Sequence, residues 1–235
     1  MPNVVAVVQA RMGSTRLPGK ILEDIAGQSA LAHVLSRVSA VPGVSAVCCA
    51  VPETTDSDPV AAEAERLGTR VFRGDEQNVL GRYVGAARQC AADVVMRITS
   101  DCPLIDPAVS GRVLSHFLET KADYCSNLDP RSWPKGLDTE VFSAAILETA
   151  ACEASEKPDL EHVTPWIRRN ASLKHASVVN AHGDFAAYRW TLDYPEDLAF
   201  FRALYKFLPQ PPAVPTFDDV LAVVHAHPDV AKLNA

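Results

Sequence analysis

Val4-Val5-Ala6-Val7-Val8 runs directly into Gln9-Ala10-Arg11-Met12-Gly13-Ser14-Thr15-Arg16-Leu17-Pro18-Gly19-Lys20, and the reading of this stretch decides the fold. Five apolar residues in a row, four of them β-branched, predict a strand buried on both faces, the kind found at the centre of a parallel sheet. The strand gives way to a loop with two Gly, one Pro, a Ser-Thr pair and three cations. Glycine lets backbone N–H groups come close to a ligand, and hydroxyls together with N–H groups can surround phosphate oxygens. Arg11, Arg16 and Lys20 add positive charge. Open parallel sheets bind ligands at the carboxyl ends of their strands, where this loop must sit. The loop therefore points to a polyanion such as a nucleoside triphosphate. It is not a P-loop, because Gly13 and Gly19 are six apart and Ile21 stands where the hydroxyl should be. The dinucleotide pattern G-x-G-x-x-G is absent as well.

Outward from that stretch, 235 residues suit one α/β domain with a sizeable core, and 48% hydrophobic content places the chain among globular proteins. A net charge of −7 argues against general nucleic-acid binding, which needs a basic face, and makes the cationic loop a local feature. Six cysteines are present, none in a C-x-x-C or zinc-ligand spacing. Cys48 and Cys49 lie in an apolar run, where Cys acts as a small hydrophobe. With no signal peptide before the first strand and no apolar stretch approaching 18 residues, the expectation is a cytoplasmic protein with reduced thiols and no membrane association.

Along the chain, Leu31, Val34, Leu35 and Val38 predict a helix over 29–41, ended by Pro42-Gly43. Strands are predicted over 44–51, 69–72 and 93–99, with helices over 57–67 and 79–92 between them. Alternating strands and helices imply parallel pairing with helices on both faces of the sheet. A helix over 107–120 and a strand over 122–127 come next. The regular pattern then breaks, in a stretch with two Pro, one Gly and Trp133 before Glu140-Val141-Phe142. Helices are predicted over 143–153 and 159–170, and strands over 173–180 and 187–192. A helix over 196–207, a stiff connector carrying Pro209, Pro211, Pro212 and Pro215, and a last helix over 217–226 complete the chain.

Two carboxylates stand out at strand ends. Asp101 lies just past the fourth strand, on the same edge as the first loop, and Asp193 ends the predicted strand 187–192. A hard cation such as Mg²⁺ wants carboxylate oxygens beside the phosphates it bridges. Either Asp could instead cap a helix. Asp106 before Pro107 is the better cap after the fourth strand, and Pro195-Glu196-Asp197 supplies its own helix-start signal, which leaves Asp101 and Asp193 for a metal. Asp138 and Glu140 alternate with apolar neighbours, so a strand there would turn both to one side, suited to hydroxyl or amino groups of a sugar. Trp133 and Phe142, in polar surroundings, suggest an association surface over 128–142.

The stretch Ala10 to Lys20 resembles the sugar cytidylyltransferases, in the form A-R-x-x-S-T-R-L-P-G-K of the 3-deoxy-manno-octulosonate and spore-coat-polysaccharide types. The resemblance extends to Arg73-x-x-x-Gln77, Gly136-Leu137-Asp138-Thr139-Glu140-Val141-Phe142, Glu161-His162-Val163-Thr164-Pro165-Trp166 and Asp193-Tyr194-Pro195-Glu196-Asp197-Leu198. It implies a single nucleotidyltransferase domain over 1–235, with a Rossmann-like, GT-A-type three-layer fold and a mostly parallel central sheet. It implies nucleotide binding by Ala10, Arg11, Gly13, Ser14, Arg16, Lys20, Arg73 and Gln77, with Arg82 also near the base. Arg11, Lys20 and Asp101 would serve catalysis, and Asp101 with Asp193 would bind Mg²⁺. Asp138, Glu140, Glu161 and His162 would face the acceptor, with residues about 128–180 forming the acceptor site and a homodimer contact. The implied activity is Mg²⁺-dependent transfer of CMP from CTP to an acidic sugar, an octulosonate or nonulosonate. A glycosyltransferase of the related nucleotide-sugar-binding fold would also use a strand-end Asp and a metal, but has less need of so cationic a loop. A non-catalytic nucleotide-binding regulator would bind CTP without turnover.

Overall fold

A computed structural model describes residues 1–209 and 213–234. Strand β1 (Val4–Gln9) is central, as its uninterrupted apolar run requires. It pairs in parallel with β4 (Ala46–Pro52) on one side and β6 (Val94–Thr99) on the other. Between β1 and β4 come a short antiparallel ribbon of β2 (Asp24–Ile25) and β3 (Gln28–Ser29), and then α1 (Ala30–Ser39). Ser29 caps α1 by accepting from the Ala32 amide at 3.0 Å. Helix α2 (Asp58–Arg66) leads to β5 (Arg70–Gly74), which pairs in parallel with β4, and α3 (Val79–Gln89) leads to β6. After β6 comes α4 (Pro107–Thr120), whose cap is Asp106, with its carboxylate accepting from the Ala108 and Val109 amides at 2.7 and 2.9 Å.

The rest of the sheet departs from the parallel pattern. Strand β7 (Tyr124–Ser126) lies outside β8 (Glu140–Ser143), and β8 pairs antiparallel to both β6 and β7. Helices α5 (Ala144–Glu153), α6 (Lys157–His162) and α7 (Pro165–Arg169) precede β9 (His175–Ser177), the edge strand beside β7. The seven-stranded order is β5-β4-β1-β6-β8-β7-β9. Helices α8 (Pro195–Leu204), α9 (Phe217–Ala226) and α10 (Pro228–Ala231) come last. Pro211 and Pro212 of the predicted connector lie outside the described residues.

The two faces of β1 go to separate cores. Val4, Ala6 and Val8 pack with α1, α2 and α4, while Val5 and Val7 pack with α3 and α5. This is the three-layer arrangement, and burying each of these Val side chains contributes about 1.5–3 kcal/mol. A third core joins α8 and α9 to Trp133, Leu137, Trp190 and Leu192. Trp133 is 2% exposed and Phe142 fully buried, so neither aromatic is free to form the association surface expected of them. The Trp133 indole N–H donates to the Val178 carbonyl at 3.2 Å, which satisfies its one polar group within the chain.

Two further expectations are corrected. Residues 187–192 form no ladder strand; among the described residues they make one isolated bridge, Lys135 to Arg189. Trp190 and Leu192 are buried against α8 and α9 instead, and a period of two does not separate these cases. Gly136 permits that approach: its φ is +112°, and a Cβ there would lie 2.3 Å from the Trp190 carbonyl oxygen. The single helix expected over 159–170 is broken into α6 and α7 at Val163 and Thr164. The backbone leaves the helix at Val163, whose φ is +71°, and Pro165 has no amide to donate to the Glu161 carbonyl and so cannot continue α6.

Candidate active site

The loop after β1 folds back on itself. The Gly19 amide donates to the Met12 carbonyl at 3.3 Å, and the Leu17 amide to Ser14 Oγ at 3.3 Å. Gly19 has φ +70° and opens a 3₁₀ turn, Lys20–Leu22, whose Ile21 is buried. Anchoring Ile21 fixes where the Lys20 side chain starts. That side chain crosses to the carboxyl end of the sheet, where Nζ lies 3.2 Å from Asp101 Oδ2 and 2.9 Å from Asp193 Oδ1.

The two carboxylates come from chain positions 92 apart and are brought together by backbone. The Leu192 amide donates to the Asp101 carbonyl at 2.8 Å, so the segment before Asp193 is pinned to the turn that carries Asp101. Asp197 then shapes the turn around Asp193. Its Oδ2 accepts from the Asp193 and Tyr194 amides, each at 2.8 Å, and it pairs with Arg189 at 2.6 Å. The helix-start role expected of Asp197 is thus joined by a positioning one. Its side chain is fully buried, so Asp197→Ala should destabilise the fold by about 3 kcal/mol, as removing one partner of a buried pair does. Urea denaturation checks this; an unchanged midpoint would mean the Asp193 turn is held without it.

Arg16 completes the cationic side. It donates to Asp193 Oδ1 at 3.3 Å and to the Tyr194 hydroxyl at 2.8 Å, with its guanidinium 4.6 Å above the Tyr194 ring centroid. Burial would raise the Asp193 pKa, but Lys20, Arg16 and the Thr191 hydroxyl outweigh it and hold the carboxyl below its ordinary range.

These groups line one cleft of about 440 Å³. Ala10, Arg11, Gly13, Ser14, Arg16 and Lys20 form its loop side, Asp101 and Asp193 its base, and Glu161 and His162 at the end of α6 its far wall. Gln9, Val79, Arg82, Thr99 and Ser100 also line it. Gln9 was legible in principle. It continues the Val5, Val7 alternation one step past the apolar run, on the α3 face.

A family model described as Cytidylyltransferase matches residues 5–209. The chain belongs to the cytidylyltransferase family. It is 31% identical over 98% of its length to the spore coat polysaccharide biosynthesis protein SpsF of Bacillus subtilis, covering 98% of that protein. The 3-deoxy-manno-octulosonate cytidylyltransferase of Geobacter sulfurreducens is 33% identical over 55% of this chain and 51% of its own. Among solved structures, a cytidylyltransferase from Leptospira borgpetersenii superposes with a TM-score of 0.92 at 28% identity, over 98% of this chain and 97% of that one. The membership makes this protein a nucleotidyltransferase. Among the described residues no helix is long and apolar enough to cross a membrane.

Three site expectations change for this cytidylyltransferase. Arg73 is exposed, pairs with Asp58 at 2.7 Å and does not line the cleft; Arg82, from the first turn of α3, does. Burial would depress Arg82, and it donates to the Asp75 and Glu76 carbonyls at 2.6 and 2.8 Å, holding the loop that carries Gln77. Gln77 itself faces an adjoining hollow shared with Arg11 and Glu161. Asp138 and Glu140 do not form a common acceptor face, because Asp138 lies outside β8. Asp138 is paired with Arg131 at 2.6 Å. Glu140 is buried, and all its hydrogen bonds run into the protein.

Proposed function

We propose that this chain transfers CMP from CTP to a hydroxyl of an acidic sugar, of the ulosonic or nonulosonic type, and releases pyrophosphate in a Mg²⁺-dependent reaction. The observation that carries the reading is the convergence of Asp101 and Asp193 on one cation, the Lys20 ammonium, beside a loop bearing Arg11 and Arg16. That donor set suits Mg²⁺, which keeps several waters and is held by one or two carboxylates plus substrate phosphates. Among the described residues no group of three or more His, Cys, Asp or Glu could hold a metal ion, so the proposed site needs further ligands from the nucleotide. Asp101 and Asp193 would hold the ion, which supplies charge neutralisation and a lower acceptor pKa.

The chain's own residues do the rest. Arg11, Arg16 and Lys20 hold the triphosphate and the charge that grows on pyrophosphate as it leaves. Catalysis is then mainly positioning and electrostatic stabilisation. Arg82 and Gln77 stand on the side of the base. Glu161 and His162 face the acceptor, whose hydroxyl attacks the α-phosphorus in line. The relatives named for octulosonate transfer support an acidic acceptor, and the Bacillus relative's name supports a polysaccharide precursor. A cytoplasmic homodimer belongs to the same proposal and rests on the family resemblance, since Trp133 and Phe142 no longer support it.

The deciding experiment screens CTP, UTP, ATP and GTP against a panel of acidic sugars, with pyrophosphate release as the readout. CTP with one ulosonic or nonulosonic acid should give turnover that EDTA abolishes. Release that is absent with every pair, or equal for all four nucleotides, would overturn the proposal. Light scattering of the same preparation decides the homodimer.

A further inference from the structure

We propose that Glu140 and Thr164 form a buried clamp that positions Glu161 and His162 in the cleft. The inference rests on the proposed function, in which those two residues face substrate, and it gives Glu140 a role in place of direct acceptor contact.

The clamp starts in the sheet. The antiparallel register of β6 and β8 sets Arg97 opposite Glu140, and Arg97 donates to Glu140 Oε2 at 2.5 Å. On Glu140 Oε1 two hydroxyls converge, from Tyr124 at 2.6 Å and Thr164 at 2.7 Å. Burial would lower the Arg97 pKa, but Glu140 beside it outweighs this and raises it. With Arg97, Tyr124 and Thr164 all donating to it, the Glu140 side chain is an immobile acceptor, and the Thr164 hydroxyl is fixed by it.

Thr164 has been diverted to this bond. It sits at the N-cap of α7, before Pro165, where a Thr hydroxyl ordinarily accepts from a backbone amide of the first turn. Here it makes no cap bond and donates to Glu140 instead. The reason lies one residue back. Val163 has φ +71° and ψ −53°, and the Thr164 amide donates to the His162 carbonyl at 2.8 Å. This is the rare, strained form of the γ-turn, with a β-branched residue at its centre. Strain of this kind persists where the surroundings over-determine it, and it gathers at functional sites. Val163 is buried on one side of the turn, and the Glu140 bond fixes Thr164 on the other. Held at both ends, the turn stops α6 at His162 and sets Glu161 and His162 against the cleft that Lys20, Asp101 and Asp193 line. Two sequence motifs far apart in the chain, Gly136 to Phe142 and Glu161 to Trp166, are thereby one mechanical unit.

The test compares Thr164→Val, which keeps the side-chain shape, with Thr164→Ser, which restores the hydroxyl. Tyr124→Phe removes the other hydroxyl from the same oxygen without touching the turn. Amide hydrogen exchange at 160–164 should quicken about tenfold in Thr164→Val, the factor made by about 1.4 kcal/mol of opening free energy, and stay as in the wild type in Thr164→Ser and Tyr124→Phe. The second readout is the His162 imidazole NMR signal on titration with CTP and Mg²⁺. It should move in the wild type, Thr164→Ser and Tyr124→Phe, and by less than half as much in Thr164→Val. Unchanged exchange in Thr164→Val overturns the clamp. So does equal loosening in Tyr124→Phe, which would mean a general loss of core hydrogen bonding. Faster exchange with an unaltered His162 response overturns the positioning role. A wild-type protein that gives no response to CTP overturns the reading of the cleft, and the positioning role with it, while the exchange measurement still decides whether the clamp exists.

Discussion

Asp193→Asn should lower turnover by roughly 10²-fold or more, and Asp101→Asn by a comparable factor, with the fold retained in both. Asn keeps the shape but removes the charge and replaces one acceptor oxygen with an NH2 donor, so the loss would report the carboxylate's charge and its second oxygen together. The two residues are not held alike. Asp193 is gripped by Lys20, Arg16 and Thr191, and its backbone is fixed by Asp197. Apart from Lys20, the Asp101 carboxylate has a 3.6 Å contact from Cys102 Sγ. Asp101 is therefore freer to follow an ion into the cleft, while Asp193 is the preset half of the pair. The activity still present should need more Mg²⁺ in both variants. Steady-state rates against Mg²⁺ concentration, with circular dichroism to confirm the fold, check this. Near-normal turnover in either variant would remove that residue from the proposed metal site.

What could be read in the sequence was what is settled locally. The β1 run and its loop were legible because period, turn residues and charge lie within neighbouring positions. Helix α4 and helix α9 fall over 107–120 and 217–226, where cap residues and spacing agree. The break at Val163 and Thr164 had one local signal, Pro165, and the helix expected over 159–170 ran through it. Glu140 was not legible. Alternation predicted its face, but its partners Arg97, Tyr124 and Thr164 arrive from three other elements, and partner choice decides between a site residue and a core one. Arg73 and Arg82 show the same limit. Both are arginines near the base loop, and only the packing of α3 against the sheet turns Arg82 inward and leaves Arg73 to Asp58 at the surface.

Lys20→Ala should reduce kcat by roughly 10²-fold, about 2.7 kcal/mol, as well as weaken CTP binding. An interaction equally strong in ground and transition states would raise KM alone; one that strengthens as pyrophosphate leaves must appear in kcat. The geometry adds a second consequence. Nζ is the cation between Asp101 and Asp193, so its removal leaves two carboxylates facing each other, with Arg16 on the Asp193 side only. Mg²⁺ without nucleotide should then raise the melting temperature of Lys20→Ala more than that of the wild type, where ion and ammonium would compete for the same oxygens. Lys20→Arg should restore turnover only in part, because a planar fork does not replace a compact ammonium. The two roles separate on Mg²⁺ titration. If Lys20 only balances the carboxylates, excess Mg²⁺ recovers kcat in Lys20→Ala. If it follows the phosphates, kcat stays low at every Mg²⁺ concentration while the melting temperature responds. Unchanged kcat and KM for CTP would refute both roles and move phosphate binding to Arg11 and Arg16, which reach the same cleft from the other turn of the loop.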